Sequence, residues 1–449
     1  MQLKRFSLKI NKSIKPFKKI IEVDSDKSLS IRCFLIGAIS QNISKAKNIL
    51  ESEDVYSAVR CLKKLGVKIK KNSSKSYLIY GKGLGSLVAK KNLQLNFGNS
   101  GTLARLLIGI LSTTPDIEIK LQGDHSLSKR SMKNLIEIMS KFGAEFLPKN
   151  KFNLPLKLIS TEMPIGIKYK ATSSAQLKSA VMLAGLNSFG TSEIIELEKS
   201  RNHTENLLNK NLQAVKIING KKKIIKITGK KYLNPVNFNV PGDPSSAAFF
   251  TALTLLNKNS SLKIKNVGLN PTRIGFYELL KKHGANIKFS NLIKKNNEIS
   301  GDIIVKSGKL KNAIISSKNF YEKTTDEFPI LFIIAALTKG VSIFKGIGDL
   351  ANKESNRIIE MQRVLKQIGI KSFASKNEIK IYGKNFIKNK NKKILVPNLG
   401  DHRICMSSVV LALLTGVKTE IKNFETVNTS SPSFLEIIKS LGGKFEIKK

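Results

Sequence analysis

The 449-residue chain has no tryptophan, three cysteines, four histidines and only 32 acidic residues against 78 basic ones. Cys33, Cys61 and Cys405 are odd in number and far apart. That spacing excludes a disulfide framework and a cysteine metal cluster, so reduced core thiols are expected. The longest apolar runs, Phe328 to Leu337 and Val409 to Leu414, stop short of the roughly 18 residues of a membrane span. The opening MQLKRFSLKINKSIKPFKKI alternates basic and apolar residues and lacks the apolar stretch, about 7 to 15 residues, of a secretory signal. No membrane association is expected, and a cytoplasmic location is. With 41% hydrophobic residues and no long biased tract the chain can bury a substantial core. At roughly 100 to 200 residues per domain, two domains are expected.

The formal net charge is +46. A polyanion partner such as nucleic acid would explain it, but such partners call for a localised basic block. Here lysine is spread from Lys4 to Lys449 in ones, twos and threes, which favours a compositional bias and no specific nucleic acid. That bias makes arginine informative, because there are ten Arg against 68 Lys. The guanidinium fork grips phosphate or carboxylate in bidentate fashion, which an ammonium does not imitate. Arg32, Arg105, Arg130, Arg201, Arg357 and Arg403 all sit in short Gly, Ser, Asp or His segments. Small ligands with several anionic groups are therefore expected.

One pattern recurs: an amphipathic helix, a glycine, then a β-type tail. It appears as LKKLGVKI at 62–69, MSKFGAEF at 139–146, LKKHGANI at 280–287, LKQIGIKS at 365–372 and IKSLGGKF at 438–445, with a weaker NKNLQAVKI at 209–217. The glycine fits a left-handed helix C-cap and the alternation after it a strand. Repeats about 75 residues apart give six α+β subunits, three in each of two domains. Crossings between domains are expected near Val240-Pro241-Gly242-Asp243 and near Val23 to Ser25, so the domains are 24–240, and 1–23 plus 241–449, with a cleft between them.

Several segments join small residues to cations at helix starts, where free N–H groups and the helix dipole favour anions. Lys27, Ser28 and Arg32 open one helix, and Asn99-Ser100-Gly101-Thr102 opens another, with Gly101 admitting a close ligand. Ser173, Ser174 and Gln176 precede the helix 177–186, and Ser200 and Arg201 precede a further one. Lys353 and Arg357 share a helical face around Glu354, and Asp326-Glu327 and Asp401-His402-Arg403 each precede an apolar run. Each is equally an ordinary cap or an exposed salt-bridged turn when taken alone. Asp326, beside so apolar a segment, is a general-base candidate.

The motifs DKSLSIR, NFGNSGTLARLL, GDHSLSKRSM, SSAQLKSAVMLAG, SRNHTENLL, VPGDPSSAAFF, NPTRIG, DEFPIL, NKESNRI and GDHRICMS run in one order from about Asp24 to Pro432. In that order they resemble the 5-enolpyruvylshikimate-3-phosphate synthase family, in its bacterial branch. The resemblance implies a two-domain inside-out α/β barrel of six βαβαββ subunits with the active site in the interdomain cleft. It also implies transfer of an enolpyruvyl group from phosphoenolpyruvate to shikimate 3-phosphate, by a monomer that needs no cofactor and no metal. Lys27, Ser28, Arg32, Ser173, Ser174, Gln176, Ser200, Arg201, Asp326 and Lys353 match positions around shikimate 3-phosphate. Lys27, Gly101, Arg130, Gln176, Glu354, Arg357 and Arg403 match positions around phosphoenolpyruvate, and Gly101 implies sensitivity to glyphosate. Asp326 is assigned as base toward the hydroxyl, and Glu354, helped by Lys27, as acid/base at the methylene carbon. Ser25 and Asp24 depart from the usual Gly and Pro before Asp26. Ile31, Ser131, Asn202, Asn356 and Ser431 also depart from the family pattern. The related UDP-N-acetylglucosamine enolpyruvyl transferases carry Lys-Asn in the first loop and a loop cysteine. Here Ser28 follows Lys27, and no cysteine lies between Arg105 and Arg130.

Overall fold

The computed structural model describes residues 5–310, 313–385 and 392–448. Within them lie six four-stranded sheets with one wiring. In the third, strand Lys168–Ala171 leads through helix Ala175–Leu186 to the parallel strand Thr191–Glu196. The short helix His203–Leu207 then leads to the hairpin Val215–Ile218 and Lys223–Thr228, whose second strand pairs antiparallel with 191–196. This is the βαβαββ subunit. The sixth copy is closed by the N-terminal strand Ser7–Ile10, which inserts between Lys418–Ile421 and Glu446–Lys448.

The chain forms two compact units, unit 1 being residues 1–24, 241–293 and 299–449, and unit 2 residues 25–240 and 294–298. Each holds three sheets. Unit 2 gains the short excursion 294–298, which carries no signal in the repeat pattern. Strand Lys18–Glu22 pairs with Ser261–Gly268 in unit 1, although the next helix in sequence, Lys27–Ile39, lies in unit 2. Strand Asn237–Asn239 likewise pairs with Ile43–Lys47 in unit 2 and precedes a helix of unit 1.

The first helix of each subunit is buried almost throughout: α1 Lys27–Ile39, α2 Gly101–Ser112 and α3 Ala175–Leu186 in unit 2, and α4 Pro244–Leu256, α5 Phe328–Ala336 and α6 His402–Thr415 in unit 1. Helices apolar on every side must sit inside. The sheets cover them with one face each, as the alternating burial of Glu118–Gln122 shows. Around α2 and α3 the packing is backbone-close, since a Cβ on Gly109 would lie 2.7 Å from the Ala180 carbonyl oxygen. The second helices are amphipathic, and the predicted glycines Gly66, Gly143, Gly284, Gly369 and Gly442 all take positive φ after them. In the third subunit that helix shrinks to His203–Leu207 and Gln213 falls in a turn, so no such cap is needed. Among the described residues no helix is long and apolar enough to cross a membrane. The three cysteines are buried and free; burial pushes the Cys61 thiol up to about 12 and raises Cys33 and Cys405 as well.

Candidate active site

In unit 2 the site residues gather at the N-termini of α1, α2 and α3, capped by Asp26, Ser100 and Ser174. Lys27 is the first residue of α1 and pairs with Asp54 at 2.9 Å. Arg32, one turn further and 4% exposed, is clamped: its Nε donates to Thr204 Oγ1 at 2.9 Å, one Nη to the Ser28 carbonyl at 3.1 Å, and the other to Ser179 Oγ at 3.3 Å. Beside α2, Arg130 donates to Asn99 Oδ1 at 2.7 Å and Ser126 Oγ at 3.2 Å. A Cβ on Gly101 would meet Arg105 Nη1 at 2.8 Å and Arg130 Nη1 at 3.1 Å, so glycine is what lets two guanidiniums close over this helix end. Gln176 Nε2 donates to Thr102 Oγ1 at 3.0 Å, which joins the α3 and α2 ends. Ser173 is exposed one residue ahead of the Ser174 cap.

Ser200 is placed differently from a simple ligand. Its N–H and its hydroxyl both donate to Glu196 Oε1, at 2.9 and 2.8 Å. Glu196 also takes Lys178 Nζ at 2.7 Å. Burial would raise the Glu196 carboxyl, but Lys178, Lys223 and the Ser200 N–H outweigh it and hold the group at about 2.

In unit 1 Arg357 is the hub. It is 1% exposed, donates through Nε and Nη2 to Asp401 at 2.9 and 3.3 Å, and through Nη2 to Glu354 at 2.6 Å. Its Nη1 lies 3.8 Å from Asp326 Oδ1, so one guanidinium bridges both assigned acid/base carboxylates. Burial would lower the Arg357 pKa, and these carboxylates hold it well above its ordinary value instead. Arg403, 4% exposed in the first turn of α6, lies over the Phe249 ring at 5.8 Å. Among the described residues its Nε and Nη1, and Arg357 Nη1, have no hydrogen-bond partner. Buried guanidinium donors left open in this way suit an arriving anion.

One expectation is corrected. Lys353 and Arg357 do not share a helical face, because Asn356 caps the helix and Arg357 is its first residue. Lys353 lies ahead of it and turns to Asp349 at 2.5 Å, which also accepts from Tyr321 at 2.9 Å. Burial and the neighbouring Asp349 carboxylate both raise the Tyr321 hydroxyl. The acid beside α5 does not act as a cap either: Glu327 makes no side-chain cap bond and accepts from Ser245 Oγ. Sequence reasoning missed Asp54, Thr204 and Ser179, whose pairing with the cations has no local spacing signal, and Asp349, which stands four residues before Lys353; Asn99, in a segment already singled out, gains its role from Arg130. Asp401 carried a local signal, since it caps α6 while holding Arg357. Two departures from the family pattern meet, because Ser431 Oγ donates to Asp24 Oδ2 at 3.1 Å. Among the described residues no group of three or more His, Cys, Asp and Glu side chains could hold a metal.

A family model described as EPSP synthase (3-phosphoshikimate 1-carboxyvinyltransferase) matches residues 11–438. The 3-phosphoshikimate 1-carboxyvinyltransferase of Petrotoga mobilis is 39% identical over 424 residues, covering 94% of this chain and 96% of the relative. That of Paramagnetospirillum magneticum is 35% identical over 425 residues, covering 94% of each. A solved structure of EPSP synthase from Acinetobacter baumannii superposes with a TM-score of 0.85 at 34% identity, covering 99% of this chain and 100% of that one. The enolpyruvyl transferase NikO from Streptomyces tendae shares the fold, with a TM-score of 0.77 at 12% identity.

Proposed function

We propose which side chains run the reaction from the premise that this chain belongs to the EPSP synthase family. It transfers the enolpyruvyl group of phosphoenolpyruvate to the 5-hydroxyl of shikimate 3-phosphate and releases phosphate. The product feeds chorismate and aromatic amino acid biosynthesis. The observation that carries the residue-level reading is that two of the buried arginines in unit 1, Arg357 and Arg403, keep guanidinium donors without a hydrogen-bond partner among the described residues.

The two substrates bring two phosphates of about −1.5 to −2 each and two carboxylates, roughly −5 to −6 in all. Such ligands repel one another until cations offset them, and orientation of the pair supplies much of the rate. Lys27, Ser28, Arg32, Ser173, Ser174, Gln176, Arg201, Asp326 and Lys353 are assigned to shikimate 3-phosphate, with Ser200 flanking Arg201. Lys27, Gly101, Arg130, Gln176, Glu354, Arg357 and Arg403 are assigned to phosphoenolpyruvate, Lys27 and Gln176 thus facing both substrates. Asp326 takes the proton of the 5-hydroxyl as its oxygen attacks C2 of the enol, and Glu354 with Lys27 delivers a proton to the methylene carbon. The tetrahedral adduct returns that proton to the same group and expels phosphate toward the arginines, and the proton taken up by Asp326 is released to the departing phosphate or to solvent, which restores the carboxylate. Arg357, touching both Asp326 and Glu354, sets the two carboxylates relative to one another. The enzyme works as a cytoplasmic monomer on this reading.

The test is phosphate release from phosphoenolpyruvate with shikimate 3-phosphate, using UDP-N-acetylglucosamine as control acceptor. Only the first acceptor supports turnover, and folded Asp326→Asn and Glu354→Gln variants lose about 10²-fold or more in kcat. Wild-type rates in either variant would overturn its assignment.

A further inference from the structure

Beneath the α3 and Ser200–Arg201 segments lies a closed group of four charges. Lys178 and the side chains of Glu196 and Glu205 are 0 to 1% exposed, and Lys223 closes the group from the neighbouring strand at 19%. Lys178 Nζ lies 2.7 Å from an oxygen of each carboxylate, and Lys223 Nζ lies 3.1 Å from each. Two ammoniums and two carboxylates leave it neutral, so it adds no net field to attract an anion. Its effect is geometric: buried charges stay put only while each keeps its partners.

What it ties together is telling. Lys178 belongs to α3, which presents Ser174 and Gln176. Glu196 ends the strand Thr191–Glu196 and accepts both donors of Ser200. Glu205 sits in the short helix after Arg201. The residues next to Lys178 and Glu205 in sequence, Ser179 and Thr204, bond each other at 2.8 Å and together clamp Arg32. Three of the segments assigned to the sugar phosphate therefore hang on one ionic group that touches no substrate.

We propose that Lys178, Glu196, Glu205 and Lys223 form a positioning lattice that presets the shikimate 3-phosphate subsite. The proposal rests on the assignment of α3 and of Ser200–Arg201 to that substrate. With both donors given to Glu196, Ser200 acts in the lattice through its place and not as a phosphate ligand.

Steady-state kinetics of the intact enzyme test this. Lys178→Met keeps the length of the side chain and removes its charge. It raises KM for shikimate 3-phosphate about tenfold or more and leaves KM for phosphoenolpyruvate within about twofold. Lys178→Met/Glu205→Gln restores the charge balance, with Lys223 facing Glu196, and recovers most of that loss. An unchanged shikimate 3-phosphate KM in the folded single variant, an equal rise in both constants, or no recovery in the double variant overturns the lattice. Should Lys178→Met not fold, Glu205→Gln alone carries the same readout. Gln176→Ala separates the premise: if it leaves the shikimate 3-phosphate KM untouched, the assignment of α3 to this substrate fails, whatever the lattice variants do.

Discussion

Among single residues, the cations do less alone than their partners make of them. Arg357 is a fixed bridge because Asp401, Glu354 and Asp326 surround it, and among the described residues its Nη1, like Nε and Nη1 of Arg403 over the Phe249 ring, has no hydrogen-bond partner. Glu196 shows the same dependence in a form that pH can read. Its folded carboxyl lies at about 2 against an ordinary 4.5, so it stabilises the fold fully above about 4.5 and loses that contribution as pH falls toward 2. A gap of about 2.5 pH units is worth on the order of 3 kcal/mol. Urea unfolding between pH 6 and 2.5 should therefore show a steeper acid loss in the wild type than in Glu196→Gln. Parallel curves would remove Glu196 from the account of acid stability.

At the level of elements, the same helix appears in two dialects. First helices such as α5, FPILFIIAA, are apolar on all sides and can only be interior, while second helices such as Glu53–Lys64 bury one stripe and end at a glycine. Both were legible, since period and glycine position are local properties. The closeness of α2 to α3 was not, because nothing near Gly109 in sequence announces Ala180. A methyl on Gly109 must push into backbone, 2.7 Å from the Ala180 oxygen and 2.9 Å from its Cα. Gly109→Ala should cost about 1–3 kcal/mol in denaturant unfolding; an unmoved midpoint would mean that the helices part without strain. The helix starts at Asp26, Ser100 and Asp401 were equally readable as caps, and they are caps. Their site residues needed the fold to find partners, as when Lys353 chose Asp349 over the face expected for it.

For the molecule as a whole, +46 is the dominant number. Exposed lysines recur on strands such as Lys68–Ser73 and Ile287–Lys295 and in the segments between elements, so the excess charge is spread along the chain and not gathered in one block. Self-repulsion of that size destabilises the compact state. Raising KCl from about 10 to 100 mM shortens the Debye length from about 30 to 10 Å and should raise the melting temperature by a few degrees. A fall would mean that surface ion pairs such as Lys71–Glu51 outweigh the repulsion.

Sequence alone determined the repeat, the buried and amphipathic helices, the cations of the site and the family, because each is written in local spacing and ordered motifs. Tertiary structure alone decided which side chains distant in sequence answer which cation. Arg357 meets Asp401 across 44 positions, and Arg32 meets Thr204 across 172. It also decided that strand Lys18–Glu22 pairs in unit 1 while the helix after it folds into unit 2. Pairing of charges and strands depends on distance in space, and a linear order of residues fixes that only once the chain has closed on itself.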